Sequence, residues 1–189
     1  MVLDDPRTID EVTNHGDLLI LRSGSGGTNS RDLNLLQSGD SLATLLFNSE
    51  FDDYSPAISP NGQWLSYSTN EIGVVQVFVR PFLNPQSAFW QVSGEGGREA
   101  RFSRDGSRLF FRNLRGDMLV SDIASGDLFS ASTPELVFRG AGYGQSNFHP
   151  EWDIAPDGRF LMIRPDPRAR NDLVIVLNWL EEAKELIGR

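Results

Sequence analysis

The side chains that could do chemistry in this chain gather in two short stretches, "GGREARF" at 96–102 and "FHPEWDI" at 148–154. Together they supply Arg98, Glu99, Arg101, His149, Glu151, Trp152 and Asp153. A histidine beside carboxylates can move protons, and arginines with an exposed indole can grip a peptide. Trp152, flanked on both sides by carboxylates, is the residue singled out for ligand contact. A metal is not expected, because the chain has only two histidines, His15 and His149, far apart, and no cysteine. His15 reads as a turn residue. "GQSNF" at 144–148 lacks the second glycine of a nucleophile elbow, and "SGSGGTNS" at 23–30 lacks the lysine of a phosphate loop, leaving a hairpin loop. The Asp-Gly pairs lack the alternating oxygen ligands of a calcium loop and read as turns. No cofactor is expected.

Charge narrows the partners. Seventeen basic against 26 acidic side chains leave a net charge of −9, and no basic run exceeds two residues. Nucleic acid and anionic membrane need clustered lysine and arginine, so both are disfavoured. The opening "MVLDDPRTIDEV" has no positive region followed by an apolar core, and no apolar run nears the ~20 residues of a membrane span. As written, the chain is expected to be cytoplasmic.

The elements that must position these residues follow from a repeat. Turn glycines Gly16, Gly62, Gly106 and Gly158 are spaced by 46, 44 and 52 residues. Four residues before each stands Val12, Ile58, Phe102 or Ile154, and three before it a small residue, Thr13, Ser59, Ser103 or Ala155. Three after comes a leucine (Leu19, Leu65, Leu109, Leu161), and five after Leu21, Tyr67, Phe111 or Ile163. Asn-Gly and Asp-Gly favour tight hairpin turns, and the +3 and +5 positions share one face of the second strand. The other face is also partly apolar, through Leu18, Ile20, Phe110, Phe160 and Met162, so each sheet is expected to be covered on both sides.

Third strands follow at "RDLNLLQ", "VVQVFVRPF", "GDMLVSDI" and "LVIVLNW", and fourth strands in three units at "LATLLF", "FWQVS" and "PELVF". Four strands at a period of roughly 45 residues is the signature of a β-propeller blade. The expected fold is all-β: a single domain of about four four-stranded blades, with units near 8–50, 51–93, 94–138 and 139–177. Asn178 and Glu181 form a capping box, and Leu180, Ala183 and Ile187 share a face, so a short closing helix is expected over 178–187.

"SPNGQWLSY", "SRDGSRLFF" and "APDGRFLMI" resemble the repeat of the TolB-like propellers, a pattern shared with the propeller of prolyl-oligopeptidase-type peptidases. "VFVRPFLNPQSAFWQVSGEGGREARFSRDG", with "VIVLNWLEEAKEL", is similar to the carboxy-terminal propeller behind many bacterial serine/threonine kinase and winged-helix regulator domains. The resemblance implies a propeller that senses or binds a protein, peptide or small ligand at its channel mouth and is not an enzyme. Two other readings stand beside it: a small propeller hydrolase or lyase using channel carboxylates and His149, and a stable remnant of a larger regulator. Four units are few for a ring: it is complete and small, or the chain is the tail of a longer propeller, or two copies share open blade edges as a homodimer, the reading favoured here.

Overall fold

A single hydroxyl holds the hairpin turn of the second and third repeats. Ser59 Oγ accepts from Trp64 N–H at 2.9 Å and Ser103 Oγ from Arg108 N–H at 2.9 Å, which fixes a six-residue connection closed by Ser59 N to Trp64 O and Ser103 N to Arg108 O. The small residue of the repeat is thus a bonded serine in these two units. Asp105 caps the third turn by accepting from Ser107 N–H at 3.0 Å.

In this computed structural model the described residues are 8–24, 31–47, 49–124, 126, 128–146, 149–155 and 157–166. They form four antiparallel sheets. The first holds β1 (Thr8–His15), β2 (Leu18–Gly24), β3 (Arg31–Gln37) and β4 (Thr44–Leu45). The second holds β5 (Asp53–Ile58), β6 (Trp64–Thr69), β7 (Gln76–Pro81) and β8 (Trp90–Gln91). The third holds β9 (Arg98–Phe102), β10 (Arg108–Arg112), β11 (Met118–Asp122) and β12 (Glu135–Phe138). The fourth pairs β13 (Trp152–Ile154) with β14 (Phe160–Met162). Within each sheet the strands follow chain order, the up-and-down order of a propeller blade. The expected third strand "LVIVLNW" and the closing helix at 178–187 lie outside the described residues.

The sheets stack face to face in sequence, and their first strands meet: β1 with β5, β5 with β9, and β9 with β13. Among the described residues no element of the first sheet packs extensively on the fourth. Ile20, Leu33 and Phe47 pack on Leu65, Tyr67 and Phe78 between sheets one and two. Trp64, Val77 and Val79 pack on Leu109 and Phe111 between sheets two and three. Phe110 and Met118 meet Trp152, Phe160 and Met162 between sheets three and four. Each first strand starts at what we term the upper end of the stack and runs to a hairpin turn at the lower end.

The fourth sheet departs from the repeat. In sheets two and three the −4 residue pairs with the +3 leucine, Ile58 with Leu65 and Phe102 with Leu109. In the fourth, Ile154 pairs with Phe160, one residue earlier. Ala155 has no hydroxyl to hold the turn open, and the hairpin closes one residue tighter, Ala155 N donating to Arg159 O. A one-residue slip turns every side chain of a strand to the other face. Phe160 and Met162 therefore point into the core, while Leu161 and Ile163, expected inside, are 70 % and 54 % exposed.

His15 also differs from expectation. It ends β1, paired with Leu18 across a two-residue Gly16–Asp17 turn, so it is a strand residue. Its ring closes on the next hairpin: a Cβ at Gly62, where φ is +71°, would sit 3.1 Å from His15 Nε2.

Candidate functional site

Glu99 is the centre of the upper end. It lies in a bulge of β9, since Arg98 pairs with Arg112 and Arg101 with Phe110, leaving one extra residue between them. Its φ of +57° is in the left-handed region, and Ser55 occupies the same place in β5 with φ +46°. Both stand seven residues before a turn glycine, as does Glu151.

The Glu99 carboxylate is fully buried. Oε1 accepts from Ser146 N–H at 2.9 Å, Oε2 accepts from Glu151 N–H at 3.4 Å, and Arg112 Nη1 lies 3.6 Å from Oε2. Burial pushes its pKa up, and these donors hold it back in part. Arg112, itself fully buried, donates from Nε to Gly116 O at 3.1 Å and from Nη1 to Gly144 O. The pair therefore ties the third sheet to the segment that leads into the fourth.

The stretches 98–101 and 149–153 do come together, yet their side chains divide. Trp152 is a core residue: it is buried against Phe160, and its indole N–H donates to Glu99 O at 3.0 Å. The expectation that it meets a ligand is thereby corrected. Its alternation along β13 turns it toward Phe110 and Met118 of the third sheet, so flanking carboxylates did not imply exposure. His149 is exposed and its Nδ1 lies 3.4 Å from Glu151 Oε1. Arg98 lines a small polar cavity of about 10 Å³ with Tyr54, Ser55, Ser68, Val75 and Ser146, room for about one water. Arg101 reaches back toward the second sheet, donating to Pro56 O at 3.5 Å. Asp153 is exposed and accepts from Ile154 N–H. Arg98, Glu99, His149 and Glu151 thus share one end, Arg101 stands on the side of the second sheet, and Asp153 pairs with exposed Leu161 on the fourth.

Arg112, Ser146 and Ser55 belong to this arrangement and were not singled out from sequence. One further column of the repeat carries a signal for Arg112: six residues after the turn glycine stand Arg22, Ser68, Arg112 and Arg164. Arg22 acts as Arg112 does, donating to Asp53 O of the next sheet at 2.9 Å and lying over the Tyr54 ring. Among the described residues no three of histidine, cysteine, aspartate and glutamate gather closely enough to share a metal ion. Nor is any helix there long and apolar enough to cross a membrane.

No family model matches the sequence, and no curated protein is similar to it in sequence. Solved structures are similar in fold. A protein assigned as TolB from Agrobacterium tumefaciens superposes with a TM-score of 0.56 at 16 % identity, over 86 % of this chain and 59 % of its own. The periplasmic gluconolactonase of Pseudomonas aeruginosa gives 0.51 at 17 %, over 81 % and 51 %. A protein assigned as a 6-phosphogluconolactonase from Bacteroides uniformis gives 0.50 at 12 %, over 85 % and 50 %. The chain thus spans between half and three fifths of the length of these three structures. It has a TolB-like propeller fold. The narrower likeness to kinase-linked propellers rests on the sequence motifs alone. The expectation that the chain is not an enzyme does not stand: it was drawn from the fold, and this fold is shared with lactonases.

Proposed function

We propose that this propeller binds a peptide or protein segment at its upper end, where Arg98, His149 and Glu151 surround the buried Glu99–Arg112 pair. The observation that carries this reading is the strained backbone at the same place in two neighbouring first strands, Ser55 and Glu99, neither of them glycine. Such positions cost about 1–3 kcal/mol, persist only where their surroundings impose them, and cluster at binding sites. Here they flank the cavity that Arg98 and Ser146 line. Arg101 and Asp153 would form the rim. A peptide-display selection on the intact chain, followed by calorimetry, tests it. Selected peptides should bind about tenfold more weakly to Arg98→Ala and Glu151→Gln at unchanged melting temperature, as expected for lost charged contacts. Peptides that bind both variants as tightly as the parent would refute the reading.

A second reading rests on the His149–Glu151 contact at 3.4 Å, an imidazole oriented by a carboxylate. In this reading His149 takes a proton from water as the water attacks an ester or lactone carbonyl, and returns it to the departing oxygen as the acyl C–O bond breaks. Hydrolysis of a sugar lactone followed by pH-stat should exceed the uncatalysed rate and fall to it in His149→Ala. A rate equal to background in the parent chain ends this reading. Self-association of two copies would use the outer face of the fourth sheet, where Leu161 and Ile163 are exposed, and light scattering of Leu161→Glu against the parent tests that.

A further inference from the structure

At the lower end, away from the residues above, a groove of about 550 Å³ opens beside the β5–β6 turn. Its floor is aromatic. Trp64 and Trp90 meet edge to face at 5.8 Å, and both pack on buried Phe129, at 5.3 and 5.4 Å. Leu83 and Leu128, 85 % and 78 % exposed, form its walls. No described lining residue is charged, in a chain of which 23 % is charged.

Two indole donors in the groove are left over. Trp64 is only 8 % exposed, yet its indole N–H has no acceptor among the described residues and is not sealed from solvent. The same holds for the indole of Trp90. Indole N–H groups this enclosed normally find an acceptor, as Trp152 does in Glu99 O. Several acceptors nearby are already used: Asn61 Oδ1 takes Ser59 Oγ–H at 2.7 Å and Gln63 N–H at 3.1 Å, Gln63 Oε1 takes Asn61 Nδ2–H, and Asn84 O takes Ser87 Oγ–H.

We propose that this groove docks a proline-rich segment in the polyproline II conformation. An uncharged ligand suits the groove, because no described residue there would balance a charge. It must be apolar enough to cover two indoles and two leucines. It must bring acceptors for the two indoles. A polyproline segment meets all three conditions: its carbonyls are free of internal hydrogen bonds, and proline has no N–H. Aromatic-lined grooves recognise such segments in this way.

The indole N–H signals of a ¹⁵N-labelled intact chain, titrated with capped octaproline, test the proposal. Those of Trp64 and Trp90 should move and saturate, while that of Trp152, bonded to Glu99 O, stays in place. Trp90→Phe keeps a ring and removes the donor, and should weaken binding about fivefold, the worth of one hydrogen bond. Leu83→Glu puts a charge on the wall and should weaken it about tenfold or more. An unmoved Trp152 signal in each variant reports an intact fold. The proposal is overturned if neither indole moves at millimolar peptide, or if cellotetraose moves both equally, which makes the groove a sugar site. Movement on dilution without peptide also overturns it, since the occupant is then a second copy.

Discussion

Replacing Asp53 by asparagine should stabilise the protein increasingly as pH rises from the ordinary carboxylate range to neutral, and have little effect below that range. Asp53 opens β5 at the seam between sheets one and two and is 1 % exposed. Neither carboxylate oxygen meets a donor at hydrogen-bonding geometry, although the Thr69 and Ser49 hydroxyls and the Arg80 charge offset part of the burial. Burial pushes its pKa up from 3.8 to about 7. Between those values the folded chain holds a proton that the unfolded chain has released, so stability falls as pH rises and the loss is complete above about 7. The gap between 3.8 and about 7, at roughly 1.36 kcal/mol per unit, is on the order of 4 kcal/mol. Asparagine keeps the shape without the titration, and the bond from Arg22 Nε to the Asp53 carbonyl does not involve the side chain. Urea unfolding of both proteins from mild acid to pH of about 8 gives the difference directly. It should grow with pH toward that magnitude. A difference that is the same at every pH would refute the reasoning.

Further outcomes follow from other contacts. Ala155→Ser supplies the missing hydroxyl, so β14 should move to the pairing of Ile154 with Leu161; nuclear Overhauser contacts of Ile154 that stay with Phe160 would count against this. Glu99→Gln removes the partner of a fully buried guanidinium and should cost about 3–5 kcal/mol in chemical denaturation. A cost below about 1 kcal/mol would mean that Arg112 is satisfied by Gly116 O and Gly144 O alone. Gly62→Ala should cost about 1–2 kcal/mol for its positive φ and the contact with His15, and less in a His15→Ala background if the ring contributes. Asp105 is held down to about 2 by Ser103 and Ser107, so the stability it contributes is present above the ordinary carboxylate range and lost as pH falls through about 2. Asp105→Asn should flatten that acid limb.

The blades were readable because their hairpins and apolar columns are local. A turn glycine, an apolar residue four before it and a leucine three after describe each hairpin of sheets two and three as it stands. What the repeat left open depends on single atoms or on partners distant in the chain. The serine hydroxyls of Ser59 and Ser103 looked like smallness, so their absence at Ala155 gave no warning of the slipped register. Arg112 meets Glu99 across a hairpin and Gly144 across 32 residues, and a scattered arginine announces neither. Trp152 was misplaced because its neighbours in sequence are polar, whereas its neighbours in space are Phe160 and Met118. The Trp64–Trp90 groove draws on three connections whose approach only stacking reveals.

The order of the sheets also sets the order in which they part company. Each of the first three is bound to the next by chemistry of its own. A buried aspartate lies between the first two, a buried glutamate with its arginine between the last two, and mainly hydrocarbon and aromatic rings between sheets two and three. Both acids have raised pKa values, so the stability tied to the two outer junctions is lost as pH rises through those values, and the middle one is left nearly untouched. Rising pH should therefore peel the stack from its flanks inward. The species that survives longest would be a two-blade sandwich of residues 53–138, held by Trp64, Val77, Leu109 and Phe111.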